Sequence, residues 1–256
     1  MQLWNPDDYL RFADQRTRPS FDLAARVAMP HPERVIDLGC GPGNSTRVLR
    51  SRWPDAHVIG LDSSEEMIAA ARELEPDEEW ILSAIEAWTP EGPFDVVFTS
   101  AAIQWLPDHG PLIGRLFEYV AQDGALGIQI PARDFARIFT LIDEVAAEGP
   151  WASRMVGVRD TFTMEDPGFY YDMLAPQSRA IDIWETEYYH VLESPSAAVD
   201  WISGTGLRPY FDALDSEEEK RAFLAQLHDR ASDAYRPRSD GRVLFPFKRV
   251  FVIAYR

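Results

Sequence analysis

The chain has 256 residues, 46% of them hydrophobic, so it is long enough to bury a substantial core. Its formal net charge of −17 argues against nucleic acid and anionic membranes as partners. A single cysteine allows no disulfide framework and favours a reducing compartment, so we expect a cytoplasmic protein. No apolar run approaches the ~18 residues of a membrane span, and the N-terminus does not read as a secretory signal.

The first segment of the chain is predicted to form one or two amphipathic helices. Residues 7–28 carry apolar side chains at helical spacing, and Pro19 predicts a break among them. Arg16 and Arg18 stand out there in an otherwise acidic protein. Two interpretations remain open for residues 1–30, namely a helix that packs on a sheet with solvated arginines, or a lid over a ligand.

The most informative stretch begins with a short apolar segment, 35–38, which predicts a buried parallel strand. A tight turn follows, in which the glycines alternate: Gly39, Gly41 and Gly43. Such a turn lets a ligand approach the backbone, and its free N–H groups are expected to point outward. Three residues that suit a helix N-cap come next, before a helix over 45–52: Asn44, Ser45 and Thr46.

The spacing of this turn narrows the choice of ligand. It reads G-x-G-x-G, whereas the dinucleotide fingerprint is G-x-G-x-x-G. Asp37, just before the turn, would repel a phosphate but could hold an ammonium group. A pyrophosphate is therefore not the first expectation.

A second strand is predicted over 57–61, and Asp62 follows it directly. An acidic residue about 20 positions after the glycine turn suits hydrogen bonding to ribose hydroxyls. The alternative is an N-cap for a helix over 64–74, although Ser63 or Ser64 could also provide that cap.

The segment after the apolar strand 94–99 brings small, polar and aromatic residues together. Ser100 and the two alanines after it leave room for a ligand, and Gln104, Trp105 and His109 add polar and aromatic groups. His109 could equally cap a surface helix, and Trp105 could equally belong to the core.

Strands and helices alternate strictly as far as residue 131. The remaining predicted elements are a strand over 80–82, a helix over 111–121 closed by Gly124, and a strand over 125–130. This order predicts a parallel doubly wound sheet, with ligands bound beyond the carboxyl ends of its strands. Residues 31–131 would form the cofactor-binding core of a single domain.

The pattern changes after residue 131. Residues 132–180 and 193–240 predict a helical cap over the active site, while 181–192 and 241–256 predict closing strands. Six basic residues of these segments could line a pocket for a polyanion, or lie on the solvated surface: Arg133, Arg159, Arg208, Arg242, Lys248 and Arg249.

Residues 35–44 together with Asp62 resemble the S-adenosyl-L-methionine site of class I methyltransferases. A closer resemblance, to trans-aconitate 2-methyltransferases, extends over segments along most of the chain: 4–12, 16–19, 104–109, 149–151, 188–192, 204–210 and 240–247. It implies an α/β fold with a three-layer, Rossmann-like sheet, mostly parallel, whose last strand is antiparallel, and a helical cap insertion. It also implies that one carboxylate of trans-aconitate is esterified.

The resemblance implies a role for individual residues as well. It assigns the methionyl portion of the cofactor to the turn of Gly39, Gly41 and Gly43, and the ribose to Asp62. The other residues that we predict to bind the cofactor are Tyr9, Arg18, Asp37, Asn44, Ser63, Met67, Ile85 and Ser100. The residues that we predict to bind the substrate, by pairing with its carboxylates or by shaping the pocket, are Arg16, Gln104, Trp105, Gln129, Tyr189, Arg208 and Arg242. Two positions depart from the family pattern. Ala84 stands where the family usually has an acid near the adenine, and Ala132 and Arg133 follow Pro131 where the family tends to have an asparagine.

The expected chemistry needs no catalytic base and no metal, since a carboxylate acceptor is already ionised at pH 7. We expect a monomer with a small polycarboxylate as its partner, and neither nucleic acid nor membrane. Three alternatives remain open: methylation of another small carboxylic acid or secondary metabolite, a binding protein that has lost catalysis, and an NAD-dependent oxidoreductase.

Overall fold

A computed structural model of the protein describes residues 13–132, 136–204 and 206–256. The predictions that concern Tyr9 and Arg133 lie outside these residues. Of residues 13, 14, 159 and 160 only the backbone is described, so the prediction for the Arg159 side chain also lies outside.

The strands are β1 (Arg34–Leu38), β2 (His57–Asp62), β3 (Trp80–Leu82), β4 (Phe94–Ser100), β5 (Val120–Pro131), β6 (Ala180–Leu192) and β7 (Val243–Tyr255). The helices are α1 (Ala13–Arg26), α2 (Asn44–Arg52), α3 (Glu65–Leu74), α4 (His109–Glu118), α5 (Arg137–Glu148), α6 (Pro167–Leu174), α7 (Pro195–Ser203), α8 (Arg208–Asp212) and α9 (Glu217–Ala234). Single 3₁₀ turns span Ile103–Trp105 and Val158–Thr161. None of the helices in the described part of the chain has the length and apolar character that a membrane crossing needs.

The strands form one seven-stranded sheet in the order β3-β2-β1-β4-β5-β7-β6. Strands β1 to β5 pair in parallel, whereas β7 runs antiparallel to β5. The predicted mostly parallel sheet with an antiparallel last strand is thereby confirmed. The chain reverses its direction of travel across the sheet between β1 and β4, so a ligand crevice opens at their carboxyl ends.

Apolar runs of the predicted kind form the centre of this sheet. The central strand β1 is buried from Val35 to Leu38, and Val96, Val97 and Phe98 of β4 are fully buried. Both faces are covered by helices, which is why these strands are continuously apolar rather than alternating.

Two local predictions were wrong. Helix α4 ends at Glu118 and β5 begins at Val120, so Gly124 lies inside a strand and does not close a helix. A bulge shifts the register between β4 and β5, and a Cβ on Gly124 would lie 2.8 Å from the carbonyl oxygen of Asp95. The glycine is required by this close approach. Helix α1 also passes through Pro19 without the predicted break.

The later helices begin with the caps that their sequences favour. Ser194 and Ser216 accept a hydrogen bond from the backbone N–H three residues on, at the starts of α7 and α9. Asp166 caps α6 in the same manner, and Pro167 follows it at the first helical position. The acidic run before and within α9 lies at a helix N-terminus, where the helix macrodipole favours negative charge.

The chain divides into two compact units. The first contains the described residues up to 132 together with 163–186 and 249–256, and the second contains 136–162 and 187–248. In the second unit, the Trp151 and Phe223 rings lie 5.3 Å apart and Tyr210 donates a hydrogen bond to Asp143. These contacts join helix α5 to α8, and the segment after α5 to helix α9.

Candidate active site

A cavity opens at the carboxyl ends of β1, β2 and β4, within the first unit. It has about 970 Å³ of space free of protein atoms, counting the solvent at its mouth. Its walls come from helix α1, the glycine turn, the end of β2, and the segments after β3 and β4. The predicted ligand edge of the sheet is therefore where the cavity lies.

The backbone of the glycine turn is directed into the protein. The N–H groups of Gly39 and Cys40 both donate to the Leu61 carbonyl, at 2.8 and 3.0 Å, and that of Gly43 donates to Cys40. The N–H of Gly41 donates to Asp62. The expectation of free N–H groups was wrong at these positions, and a turn without them is unsuited to a phosphate.

The three glycines are required for different reasons. A Cβ on Gly39 would lie 2.1 Å from the Cβ of Ala102, and one on Gly43 would lie 2.7 Å from the Trp80 ring. Around Gly41 no protein atom lies within 4 Å of the Cβ position, although φ is +55°. Gly41 therefore faces open cavity, and the space beside it is available to a ligand.

Asp37 is fully buried and does not line the cavity. Its Oδ2 accepts hydrogen bonds from the Ser45 and Thr46 hydroxyls, at 2.6 and 2.7 Å. Burial raises the pKa of Asp37 to about 6, against the opposing effect of these two hydroxyls. Ser45 and Thr46 thus hold Asp37 and do not cap helix α2, whose N-cap is Gly43 without a side-chain hydrogen bond. Direct contact between Asp37 and an ammonium group is not supported by this position.

Asp62 lines the cavity at the end of β2. Its two oxygens accept from the backbone N–H groups of Gly41 (2.8 Å) and Ser64 (2.9 Å). Burial raises the pKa of Asp62, and the backbone N–H groups of Ser64, Gly41 and Ser63 oppose that rise. A carboxylate can accept about four hydrogen bonds, so acceptor capacity remains for ribose hydroxyls. The N-cap alternative was wrong, because Ser64 caps helix α3.

The wall that follows strands β2 and β3 contains two apolar residues. Ile85 and Met67 line the cavity and are nearly fully buried, as expected for residues around an adenine ring, and Ser63 and Glu86 lie beside them. Arg115 of α4 donates to the backbone carbonyls of Ile85 and Glu86, so it holds this segment in place. No local sequence pattern indicates this role for Arg115. Ala84 is not in the lining.

The wall beyond β4 consists of small residues and Trp105. Ser100, Ala101 and Trp105 line the cavity, and Ala101 has φ of 54°, an uncommon value for a residue with a Cβ. Backbone strain of this kind is concentrated at functional sites. Gln104 is buried behind this wall and donates from Nε2 to the Ala101 carbonyl, so its side chain supports the wall and does not line the cavity.

Helix α1 contributes a cluster that the sequence analysis identified only in part. Arg16, Thr17 and Ser20 line the cavity, whereas Arg18 is exposed and does not. The Ser20 hydroxyl donates to Ser100 at 3.0 Å. Ser100 in turn donates to Oε1 of the buried Gln129, which lies outside the lining. Helix α1 both packs on the sheet, through the buried Leu23 and Ala24, and forms a wall of the cavity.

Three predicted substrate residues belong to the second unit. Tyr189 is exposed and donates to Glu187, Arg208 lies 3.9 Å from Asp212, and Arg242 lies 3.4 Å from Glu193. Their roles remain predictions.

The cavity residues fit S-adenosyl-L-methionine, the cofactor that the resemblance implies. Asn44 lines the cavity with its buried amide nitrogen lacking an acceptor among the described residues, so it can donate to a ligand. Asp62 retains acceptor capacity for a ribose, Ile85 and Met67 offer an apolar wall for an adenine, and Gly41 leaves space beside the turn.

Comparisons with known proteins agree with this site. The family described as "Methyltransferase domain" matches residues 35–124, which contain the glycine turn, Asp62 and strand β4. The solved structure of YcgJ from Bacillus subtilis is 16% identical, with a TM-score of 0.59 over 93% of this chain and 98% of that one, and shares the fold. The protein is a methyltransferase that uses S-adenosyl-L-methionine.

Curated relatives identify the family. A trans-aconitate 2-methyltransferase of Azoarcus sp. is 45% identical over 100% of both chains. Another, of Methylobacterium radiotolerans, is 46% identical over 98% of this chain and 97% of its own. The chain belongs to the trans-aconitate 2-methyltransferase family.

Proposed function

We propose that the protein transfers the methyl group of S-adenosyl-L-methionine to a carboxylate oxygen of trans-aconitate. The relatives at 45% and 46% identity bear the name of this activity. Methylation of another small carboxylic acid or a secondary metabolite is the alternative reaction.

The ionisable residues of the cavity carry the proposal. Among the described residues that line it, these are Arg16, Cys40, Asp62 and Glu86. Burial raises the pKa of the Cys40 thiol well above its usual value, and Asp62 accepts two backbone hydrogen bonds, so neither is suited to remove a proton. Arg16 is the cation among these residues, and a cation suits an acceptor that is already ionised.

The cavity residues have separate roles in the proposed methyl transfer. When bound, S-adenosyl-L-methionine supplies a methyl group attached to a positively charged sulfur. Asp62 and Asn44 orient this cofactor, Arg16 pairs with a carboxylate of the acid, and Trp105 shapes the acceptor side of the cavity. Catalysis then consists of positioning the acceptor oxygen and excluding water.

Other predicted residues complete the acceptor site in this proposal. Gln104 and Gln129 stand behind its wall, each with one buried amide atom that lacks a partner among the described residues. Arg208 and Arg242 are proposed to pair with the carboxylates that do not react, and Tyr189 to shape the acceptor site.

A panel of small acids tests the function. The purified protein is incubated with S-adenosyl-L-methionine and trans-aconitate, cis-aconitate, citrate or tricarballylate, and methyl esters are detected by mass spectrometry. We expect the monomethyl ester of trans-aconitate to form with the highest kcat/KM. Ester from another acid alone would favour the alternative reaction, and no ester from any acid would contradict both.

We further propose that the protein acts as a cytoplasmic monomer on a small molecule, without nucleic acid. The single cysteine and the net charge of −17 support this. Cell fractionation and light scattering of the purified protein test location and mass, and a dimer in dilute solution would contradict the monomer.

A further inference from the structure

His109 is the first residue of helix α4 and is 1% exposed. It is therefore not a cap on a surface helix, which was one of the two interpretations of the sequence. Its Nε2 lies 2.8 Å from the carbonyl oxygen of Ile103, and its Nδ1 lies 2.7 Å from the hydroxyl of Tyr170 in helix α6. Tyr170 is fully buried. The imidazole thus joins helix α6 to the Ile103–Trp105 turn.

The direction of both hydrogen bonds follows from chemistry. A carbonyl oxygen can only accept, so Nε2 carries the proton and donates to Ile103. Burial lowers the pKa of His109, against opposing effects of the Ile103 carbonyl and the Glu165 charge, so the ring is neutral. Nδ1 therefore accepts, and the Tyr170 hydroxyl donates to it.

The turn that His109 holds is part of the cavity wall. It leads from Ala101 and Ala102 to Trp105, all of which line the cavity. The turn has a second hydrogen bond to a residue outside it, because the Gln104 carbonyl accepts from the Thr163 N–H at 2.9 Å. His109 of helix α4, which Tyr170 of helix α6 contacts, and Thr163 before helix α6 therefore hold the turn at two successive carbonyl groups.

The turn also lies tightly against the cofactor side of the cavity. A Cβ on Gly39 would be 2.1 Å from the Cβ of Ala102, so no free space separates the glycine turn from this wall. Displacement of the Ile103–Trp105 turn would change the distance between the acceptor and the methyl donor. A misplacement of ~1 Å can slow a reaction of this kind about 100-fold.

We infer that His109 and Tyr170 are positioning residues for methyl transfer, which hold the Ile103–Trp105 turn through the neutral, Nε2-protonated ring. The inference rests on the proposed transfer to an acceptor bound in this cavity. Neither residue lines the cavity, so neither is expected to contact cofactor or acceptor.

Substitution of His109 by Gln or Leu separates anchoring from simple packing. Gln can place an N–H donor near the position of Nε2, whereas Leu fills similar space without a donor. Tyr170→Phe removes only the hydroxyl. The matched control is Tyr119→Phe, which loses a hydrogen bond to the Trp88 carbonyl near the amino ends of β4 and β5.

Amide hydrogen exchange of residues 101–106 tests the anchor without any acceptor. We expect faster exchange there in His109→Leu and Tyr170→Phe, but not in His109→Gln or Tyr119→Phe. Identical exchange in the Leu and Gln variants would overturn the anchor. If the Leu variant does not fold, Tyr170→Phe decides the same question.

Kinetics test the consequence, with the acid that wild type esterifies best as acceptor. We expect His109→Leu to lower kcat/KM about 100-fold, Tyr170→Phe to lower it less, and His109→Gln to remain near wild type. The Kd for S-adenosyl-L-methionine should stay unchanged in all of them. Changed exchange with unchanged kinetics would overturn the positioning role. If the wild-type protein esterifies no acid, the proposed function is contradicted, and the exchange result alone decides whether His109 anchors the turn.

Discussion

Asp62 Oδ2 accepts a hydrogen bond from the Gly41 N–H at 2.8 Å, which ties the end of β2 to the middle of the glycine turn. Oδ1 of the same carboxylate accepts from the N–H of Ser64, where helix α3 begins. One side chain thus fixes the backbone on either side of the cavity. Asp62 also lines that cavity, so the same carboxylate can stabilise the backbone and bind a ligand.

Asp62→Asn should weaken cofactor binding strongly. The amide cannot accept at its nitrogen, so either a backbone N–H or a ribose hydroxyl loses its acceptor. Hydrogen bonds to a charged group contribute about 1.5–3 kcal/mol, so we expect the Kd for S-adenosyl-L-methionine to rise ~10–100-fold. Isothermal titration calorimetry measures this Kd.

Asp95→Asn is the matched control for Asp62→Asn. Asp95 also accepts two backbone N–H groups, from Glu33 and Arg34, but at the amino ends of β1 and β4. We expect a loss of stability without a change in the cofactor Kd. Equal effects of the two substitutions on the Kd would mean that Asp62 acts through the fold alone.

The glycines of the turn should respond differently to alanine. Gly41→Ala introduces a Cβ into open cavity at φ +55°, so the fold should lose only about 1–2 kcal/mol while the ligand space is filled. Gly39→Ala places a Cβ against Ala102 at φ +75° and should lose about 2–4 kcal/mol. Urea unfolding and cofactor titration distinguish the two.

Gly41→Ala should therefore retain most of the stability and lose cofactor affinity, whereas Gly39→Ala should be the less stable protein. If Gly41→Ala binds S-adenosyl-L-methionine as wild type does, the cofactor does not occupy the space beside Gly41.

Features that depend on residues close together in the chain could be predicted from the sequence. The apolar run of β1, the alternating glycines and the acid after β2 are local features, and they predicted the sheet and its ligand edge. The bulge between β4 and β5 depends on the approach of Gly124 to Asp95, which no local pattern shows. The predicted helix end there was wrong for this reason.

Hydrogen-bond partners across the fold were much harder to predict. Ser45 and Thr46 suit an N-cap by residue type, yet their hydroxyls donate to Asp37 on the neighbouring strand. Ser20 carries no motif, and only the packing of α1 brings it to Ser100, 80 positions away. Such partners are set by tertiary structure, and the sequence leaves them open.

The burial of Asp37 should make stability depend on pH. Its pKa is about 6 in the folded protein, above the ordinary value of 3.8. The protonated side chain is therefore favoured by folding, and this contribution is fully present below pH 3.8 and is lost as the pH rises through about 6. At ~1.4 kcal/mol per pKa unit the loss is roughly 3 kcal/mol.

Asp37→Asn removes this titration while it keeps an oxygen to accept from Ser45 and Thr46. Urea unfolding of both proteins between pH 4 and pH 7.5 measures the difference. We expect the unfolding free energy of wild type to fall relative to that of the variant as the pH rises. Parallel curves across this window would show that burial does not raise the pKa of Asp37.

Arg16 and Arg18 offer a direct comparison of two arginines on one helix. Arg16 lines the cavity and Arg18 is exposed outside it. Loss of a charge-assisted hydrogen bond of about 1.5–3 kcal/mol should raise the KM for trans-aconitate ~10-fold or more in Arg16→Gln. Arg18→Gln should leave both KM and the cofactor Kd near wild type, because Arg18 does not line the cavity.

Initial rates at saturating S-adenosyl-L-methionine give the KM for the acid, and calorimetry gives the cofactor Kd separately. An increase of the cofactor Kd in Arg16→Gln, with an unchanged KM for the acid, would assign Arg16 to the carboxylate of the cofactor instead. A stronger effect of Arg18→Gln than of Arg16→Gln on either constant would contradict the position of helix α1, since the helix could then not present Arg16 to the cavity.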